Sequence, residues 1–113
     1  MSAATLELWQ TEWCPASHRV RQRLTELGLT YTAHQVPVES GERAELEALT
    51  GQRTIPVLVI AGGEIVREEQ AIMSYLEAHY DEPPGAESQR QKAAKARRKE
   101  LEQACPKLAA ATH

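Results

Sequence analysis

Residues 6–28 read LELWQTEWCPASHRVRQRLTELG. Leu6, Leu8 and Gln10 alternate with Glu7 and Trp9, the period-two pattern of a short strand. Cys14-Pro15 follows, and proline suits the first turn of a helix, where its missing N–H would have had no partner. Ser17, Val20, Leu24 and Leu27 then recur at spacings of 3, 4 and 3. They form one inward stripe and leave Arg19, Arg21 and Arg23 off it. Gly28 closes the helix as a C-terminal cap.

Working outward, Leu29 to Val38 holds Tyr31, Thr32, Val36 and Val38, a second strand that Pro37 marks as an edge. Glu39 to Leu49 predicts a short helix with Leu46 and Leu49 inward, stopped by Gly51. Thr54 to Ala61 is almost continuously apolar and β-branched, as a strand buried on both faces would be. Gly62-Gly63 turns the chain into Glu64-Ile65-Val66. Glu68 to Tyr80 reads as a helix with Ile72, Tyr75, Leu76 and His79 on one side. The order is β-α-β-α-β-β-α, without an internal repeat. Asp81 to Gly85 breaks the pattern. Beyond it, Gln89 to Leu108 is rich in helix formers and carries a thin apolar stripe at Leu101, Ala104, Cys105 and Leu108. Pro106 ends or kinks this helix near Ala104. Residues 1–81 are therefore expected to form one domain, and residues 82–113 a linker with a basic C-terminal helix, docked weakly or partly free.

The whole chain of 113 residues has a formal charge of −3, but unevenly spread. Residues 1–86 carry 6 bases and 13 acids, whereas residues 87–113 carry 7 bases and 3 acids. This length suits a single core, and 42% hydrophobic residues exclude a disordered chain. The longest apolar run, Ile55 to Ala61, has 7 residues, far below the ~18–20 that cross a bilayer. Met1 to Trp9 shows no basic region followed by an apolar one, so a cytoplasmic protein without a secretory leader is expected. Two cysteines cannot build a disulfide framework. The acidic main region argues against nucleic acid as its chief partner, and a monomer or weak dimer is expected.

Cys14 is the sharpest chemical feature. A cysteine at a helix start has backbone N–H groups and the positive end of the helix dipole aimed at its sulfur, and both favour the thiolate. Thiolate is the species that attacks disulfides; the alternative is a buried, inert cysteine. Ser17 stands where a C-x-x-C pair would have its second thiol, so a catalytic Cys14 would work as a monothiol, with an external thiol finishing each cycle. Cys105 could resolve the mixed disulfide only if the tail folds back. Ile55-Pro56 opens the buried strand. A cis bond there would turn the Ile55 backbone groups outward, where an extended ligand could pair with them. Glu68 and Glu69 open the last helix, either as dipole-favoured acids or as groups facing a ligand's ammonium. Trp13 either shapes the mouth of the site or packs in the core. Cys14 and His18 are four residues apart, but a metal site needs three or four ligands and no further cluster exists, so none is expected. Arg97-Arg98-Lys99 reads as a solvated helix face, with weak contact to nucleic acid or an anionic surface as the alternative.

Trp13-Cys14-Pro15-Ala16-Ser17 followed by His18-Arg19-Val20-Arg21 resembles the active-site helix of glutaredoxins and of the thioredoxin-like N-terminal domain of glutathione transferases. Thr50-Gly51-Gln52-Arg53-Thr54-Ile55-Pro56-Val57 resembles the glutaredoxin segment that carries a cis proline. Glu68-Glu69-Gln70-Ala71-Ile72 with Tyr75-Leu76 is similar to the E-S-x-A-I-x-x-Y-L helix start of transferases. The resemblance covers about residues 5–80. It implies an α/β thioredoxin-like (glutaredoxin) fold, with a four-stranded mixed sheet flanked by helices plus an extra C-terminal helix.

It further implies a monothiol glutaredoxin-like thiol–disulfide oxidoreductase. Its substrates would be protein mixed disulfides with glutathione or a related low-molecular-weight thiol. Cys14 matches the nucleophile, with Trp13 and Pro15 beside it. The Ile55 backbone, before Pro56, matches the group that pairs with the cysteinyl part of glutathione. Arg53 and Thr54 match the neighbouring loop, and Glu68 and Glu69 the grip on the γ-glutamyl end. Thr11 and Ala48 stand where glutaredoxins often carry a lysine and a glutamine for the glycine carboxylate, and Arg53 is the candidate substitute. A non-catalytic thioredoxin-fold regulatory module and an iron–sulfur cluster carrier are the alternatives.

Overall fold

The computed structural model describes residues 5–104. In chain order its elements are β1 (Leu6–Gln10), α1 (Pro15–Glu26), β2 (Thr32–Gln35), a 3-10 turn at Ser40–Glu42, α2 (Ala44–Thr50), β3 (Val57–Ile60), β4 (Glu64–Arg67), α3 (Glu69–His79) and α4 (Ala86–Ala104). The strands lie in the order β2-β1-β3-β4, with β1 parallel to β2 and the β1–β3 and β3–β4 pairs antiparallel. This is the mixed four-stranded sheet of a thioredoxin-like fold. β2 lies at the edge, as Pro37 just beyond it predicts.

Alternate strand residues build the two sides of the core. Leu6 and Leu8 of β1 and Leu58 and Ile60 of β3 pack with Val20 and Leu24 of α1, Leu27, and Ile72 and Leu76 of α3. On the opposite face, Trp9 and Val57 meet Val36 and Leu46 of α2. The one-sided alternation expected in β1 is therefore corrected. A central strand is covered on both faces, so Trp9 is buried along with its neighbours. Leu49 is corrected too: it is 42% exposed, and Thr50 takes the inward place. Thr50 follows Leu46 by four residues and lies closer to its face than Leu49 does. The Thr50 hydroxyl donates to the Leu46 carbonyl at 2.8 Å, and Arg67 Nε donates to the Thr50 carbonyl at 2.8 Å. Gly51, with φ +81°, then ends the helix in a left-handed conformation that suits glycine.

α4 begins at Ala86, three residues earlier than Gln89, and packs on α1. Leu101 does not anchor it, being 57% exposed; Cys105, Pro106 and Leu108 lie outside the described residues. Its foot is held by buried Ala86 and by charge. Arg90 reaches Glu26 at 3.0 Å, Glu82 at 2.8 Å and Glu87 at 2.8 Å, while Arg23 reaches Glu26 at 3.0 Å and Glu82 at 2.6 Å. Hydrogen bonds from Arg90 and then Arg23 hold the Glu82 carboxyl down at about 2. Burial pushes Glu26 up, but Gln22, Arg23 and Arg90 outweigh it and leave its pKa lowered. Both acids ionise more readily folded than unfolded, so this anchoring is complete above the ordinary value of 4.5 and is lost as pH falls toward about 2. Protection of the α4 amides against hydrogen exchange, relative to their intrinsic rates at each pH, should therefore fall across that window before that of the sheet amides. Unchanged α4 protection throughout the window would contradict this account of the docking.

Candidate active site around Cys14

The β1–α1 loop delivers Cys14 to the N-cap position of α1, in extended backbone conformation with Pro15 opening the helix. Its Sγ accepts the Ser17 N–H at 3.4 Å, and its carbonyl accepts the His18 N–H at 2.9 Å. Burial of the sulfur, the largest single influence, pushes the thiol pKa up. The Ser17 hydroxyl, the Ser17 and Ala16 N–H groups and the Arg19 charge together outweigh it, so the thiol is held below its ordinary 9.0. The buried Ser17 hydroxyl has no hydrogen-bonded partner among the described residues. A neutral sulfur is a weak acceptor and a thiolate a strong one. Deprotonation therefore strengthens the bond from the Ser17 N–H and offers the Ser17 hydroxyl an acceptor.

A cavity of about 750 Å³ opens over the sulfur. Trp13, Cys14, Pro15, His18 and Arg19 line one side, and Arg97, Glu100 and Leu101 of α4 line the other. Trp13 is 60% exposed and stands at this mouth, outside the core. His18 faces two guanidinium groups, Arg21 at 3.4 Å from Nδ1 and Arg97 at 3.1 Å from Nε2. Among the described residues no three His, Cys, Asp or Glu side chains are grouped to hold a metal ion.

The remaining candidates surround this centre at different removes. The Ile55–Pro56 peptide bond is cis. Neither the N–H nor the C=O of Ile55 is hydrogen-bonded to another described residue. Glu69 is paired to Arg19, whose second contact is at 2.9 Å, so Arg19 links the sulfur's surroundings to the start of α3. The Arg19 hydrogen bond lowers the Glu69 pKa. Glu68 is exposed, makes no capping bond and has φ +71° with ψ 154°. A side chain there costs about 1–3 kcal/mol, and such strain gathers at ligand clamps. Arg53 and Thr54 lie outside the sulfur cavity. The Arg53 guanidinium is taken up by the Ser40 and Gly41 carbonyls and by Glu47 at 2.9 Å, so it ties down its own loop. Thr54 Oγ1 accepts from Gln52 Nε2 at 2.8 Å.

The family profile described as "Glutathione S-transferase, N-terminal domain" matches residues 13–79, over half of the chain. The chain belongs to that family. A curated relative, glutaredoxin-C4, chloroplastic, of Oryza sativa subsp. japonica, is 33% identical over 69 residues, which is 58% of this chain and 51% of the relative. The chain thus spans about half the length of that protein. Among solved structures, a glutathione S-transferase from Rhodospirillum rubrum F11 superposes with a TM-score of 0.61 at 34% identity, over 69% of this chain and 35% of that one. FzlA from C. crescentus gives 0.63 at 30% identity, over 71% and 36%. A glutathione S-transferase domain-containing protein from Marinobacter aquaeolei VT8 gives 0.59 at 30% identity, over 68% and 40%. Membership of the glutathione S-transferase N-terminal domain family supports a glutathione-related thiol function. The match ends at residue 79, before α4 begins at Ala86.

Two arginines of this transferase-type domain, Arg43 buried and Arg21 largely so, are not signalled by the sequence. Arg43 donates to the Pro37, Val38 and Arg53 carbonyls at 2.8–2.9 Å and so fixes the approach to Ile55. Arg21, expected off the inward stripe, is largely buried and clamps the Cys14 loop. It donates to the Gln10 side-chain oxygen, to the Thr11 carbonyl at 3.2 Å and to the Glu12 carbonyl at 3.4 Å. The one available signal was Gln10, a polar residue on the inward side of a strand. Replacing Arg21 by alanine strands the buried Gln10 oxygen, a loss of roughly 2–3 kcal/mol. Chemical denaturation checks this, with Arg21→Lys expected to recover only part because one ammonium cannot span several acceptors. A change below about 0.5 kcal/mol would exclude the clamp.

Proposed function

We propose that this domain is a monothiol glutaredoxin-like thiol–disulfide oxidoreductase that removes glutathione, or a related low-molecular-weight thiol, from mixed disulfides. The observation that carries the reading is a Cys14 sulfur, accessible through a cavity, that caps α1 and is surrounded by donors favouring its thiolate. The Cys14 thiolate attacks the glutathione sulfur of R–S–S–G. The S–S bond breaks, the R–S⁻ group leaves and takes up a proton, and a Cys14–glutathione disulfide forms. A second glutathione thiolate then attacks the glutathione sulfur of that adduct, releasing oxidised glutathione and restoring the Cys14 thiolate. One glutathione thiolate is thus oxidised to the disulfide level while the substrate sulfur is reduced to R–S⁻.

The chain's residues divide this work. Ile55 offers its unengaged N–H and C=O to the cysteinyl part of the ligand, and Arg53, Thr54 and Pro56 shape the loop that presents them. Glu68 and Glu69 take the γ-glutamyl ammonium, which requires Glu69 to exchange its Arg19 partner for the ligand. Trp13 and Pro15 wall the entrance. Such a cycle needs a glutathione-reduced compartment, as the cytoplasm provides. Incubating the reduced protein with oxidised glutathione and mapping adducts by mass spectrometry tests the first half of the cycle. One glutathione on Cys14, released by added thiol, is expected; an unmodified Cys14 would overturn the assignment.

A further inference from the structure

We propose that the exposed basic face of α4 recognises acidic protein segments flanking a mixed disulfide and so brings that disulfide to Cys14. The proposal rests on the exchange reading above and adds the class of partner. Residues 91–99, QKAAKARRK, hold five bases and no acid. Lys92, Lys95 and Lys99 recur at helical spacing on one exposed face, with exposed Arg98 beside them. None of the four is in an ion pair with another described residue, whereas Arg19, Arg23, Arg53 and Arg90 each end on a carboxylate.

The band adjoins the sulfur. Arg97 of the same helix lines the Cys14 cavity and meets His18 Nε2 at 3.1 Å, an uncharged acceptor when the imidazole is neutral. The cavity itself is close to balance. Arg19 is paired with Glu69, Arg21 lies 3.5 Å from Glu12, and Glu100 lines the cavity one helical turn from Arg97. A small neutral disulfide therefore gains nothing from charge, while a larger substrate whose flank reaches α4 does. Unpaired surface charges act mainly by steering encounter, raising association rates 10-fold or more and losing that effect with salt. Nine helical residues make a band roughly 14 Å long, the reach of a short peptide flank. The acidic remainder of the chain, 13 acids against 6 bases in residues 1–86, would repel a long polyanion.

The test uses full-length protein and one glutathionylated peptide made with an acidic, a neutral or a basic flank. At low salt, kcat/KM for the acidic version should exceed the neutral one about tenfold, with the basic version lowest, and the ratio should fall toward one in ~0.5 M salt. In the triple variant Lys92→Glu, Lys95→Glu, Lys99→Glu the order should invert. A cysteine-free acidic peptide, followed by fluorescence anisotropy, should bind the wild type and not the triple variant, which tests the surface independently of turnover. Equal kcat/KM for the three flanks, or no binding of the acidic peptide, would overturn the proposal. So would displacement of that peptide by a short single-stranded oligonucleotide at lower concentration, which would assign the band to nucleic acid. Failure of the exchange reading shows separately, as equal turnover of the neutral peptide by wild type and Cys14→Ser.

Discussion

Cys14→Ser should reduce turnover of a glutathionylated substrate by at least about a thousandfold while leaving the fold intact. Serine keeps the size and the N-cap preference of the position, so α1 still has its cap and the Ser17 N–H still has an acceptor. What disappears is the chemistry. A hydroxyl is not appreciably ionised at neutral pH and forms no covalent adduct with a disulfide sulfur, so neither half of the cycle can run. The measurement is release of a chromophoric thiol from its glutathione mixed disulfide at saturating glutathione, with circular dichroism confirming the helix content. Turnover within about threefold of wild type would remove Cys14 from the mechanism. Cys14→Ser together with Cys105→Ser would then show whether the other cysteine carried the activity.

Leu24→Ala should produce the largest loss of stability of any single core truncation in α1, about 3–4 kcal/mol. Leu24 is fully buried on the α1 stripe and packs in the cluster that joins Leu8 and Leu58 of the central strands to Ile72 and Leu76 of α3. Removing three carbons forfeits their transfer free energy and leaves a cavity that strands and helices on three sides cannot collapse to fill. For a domain of this size that corresponds to a fall in Tm of roughly 12–25 °C. Leu49→Ala, on the exposed side of α2, serves as the control and should cost within about 0.5 kcal/mol. If the two substitutions proved equally mild, the core assignment around α1 would be wrong.

These two predictions also mark what the sequence could disclose. The stripe Ser17, Val20, Leu24 and Leu27 is legible because an amphipathic helix writes its inward face at fixed spacing, and all four are buried. The continuous apolar run into β3 likewise announced a central strand. Trp9 was misread because alternation records only whether a strand is half covered, and α2 arrives from later in the chain to cover its second face. Leu49 was misread because a helix of under two turns has too few residues to distinguish positions three and four apart.

At the site, Cys14, Pro15 and Ser17 declared themselves through local chemistry, as did the pair Ile55 and Pro56. Arg21 and Arg43 did not. Their acceptors are mostly backbone carbonyls that fall within reach only after the loops have folded, and a carbonyl leaves no trace in the sequence. The docking of α4 was hidden for a related reason. It depends on Arg90 meeting Glu26 across 64 positions, an ion pair that no periodicity encodes.

The central claim is that the N-cap of α1 favours the Cys14 thiolate and holds the thiol below its ordinary pKa, and titrating its reactivity tests that directly. In a Cys105→Ser background, the rate of Cys14 alkylation measured against pH gives the thiol pKa without interference. The donors at Ser17 and Ala16 and the charge of Arg19 predict a midpoint below the ordinary 9.0. Ser17→Ala, which removes the buried hydroxyl and keeps the backbone donor, should move the midpoint upward. A wild-type midpoint at or above 9.0 would contradict the account, because burial alone would then govern the sulfur.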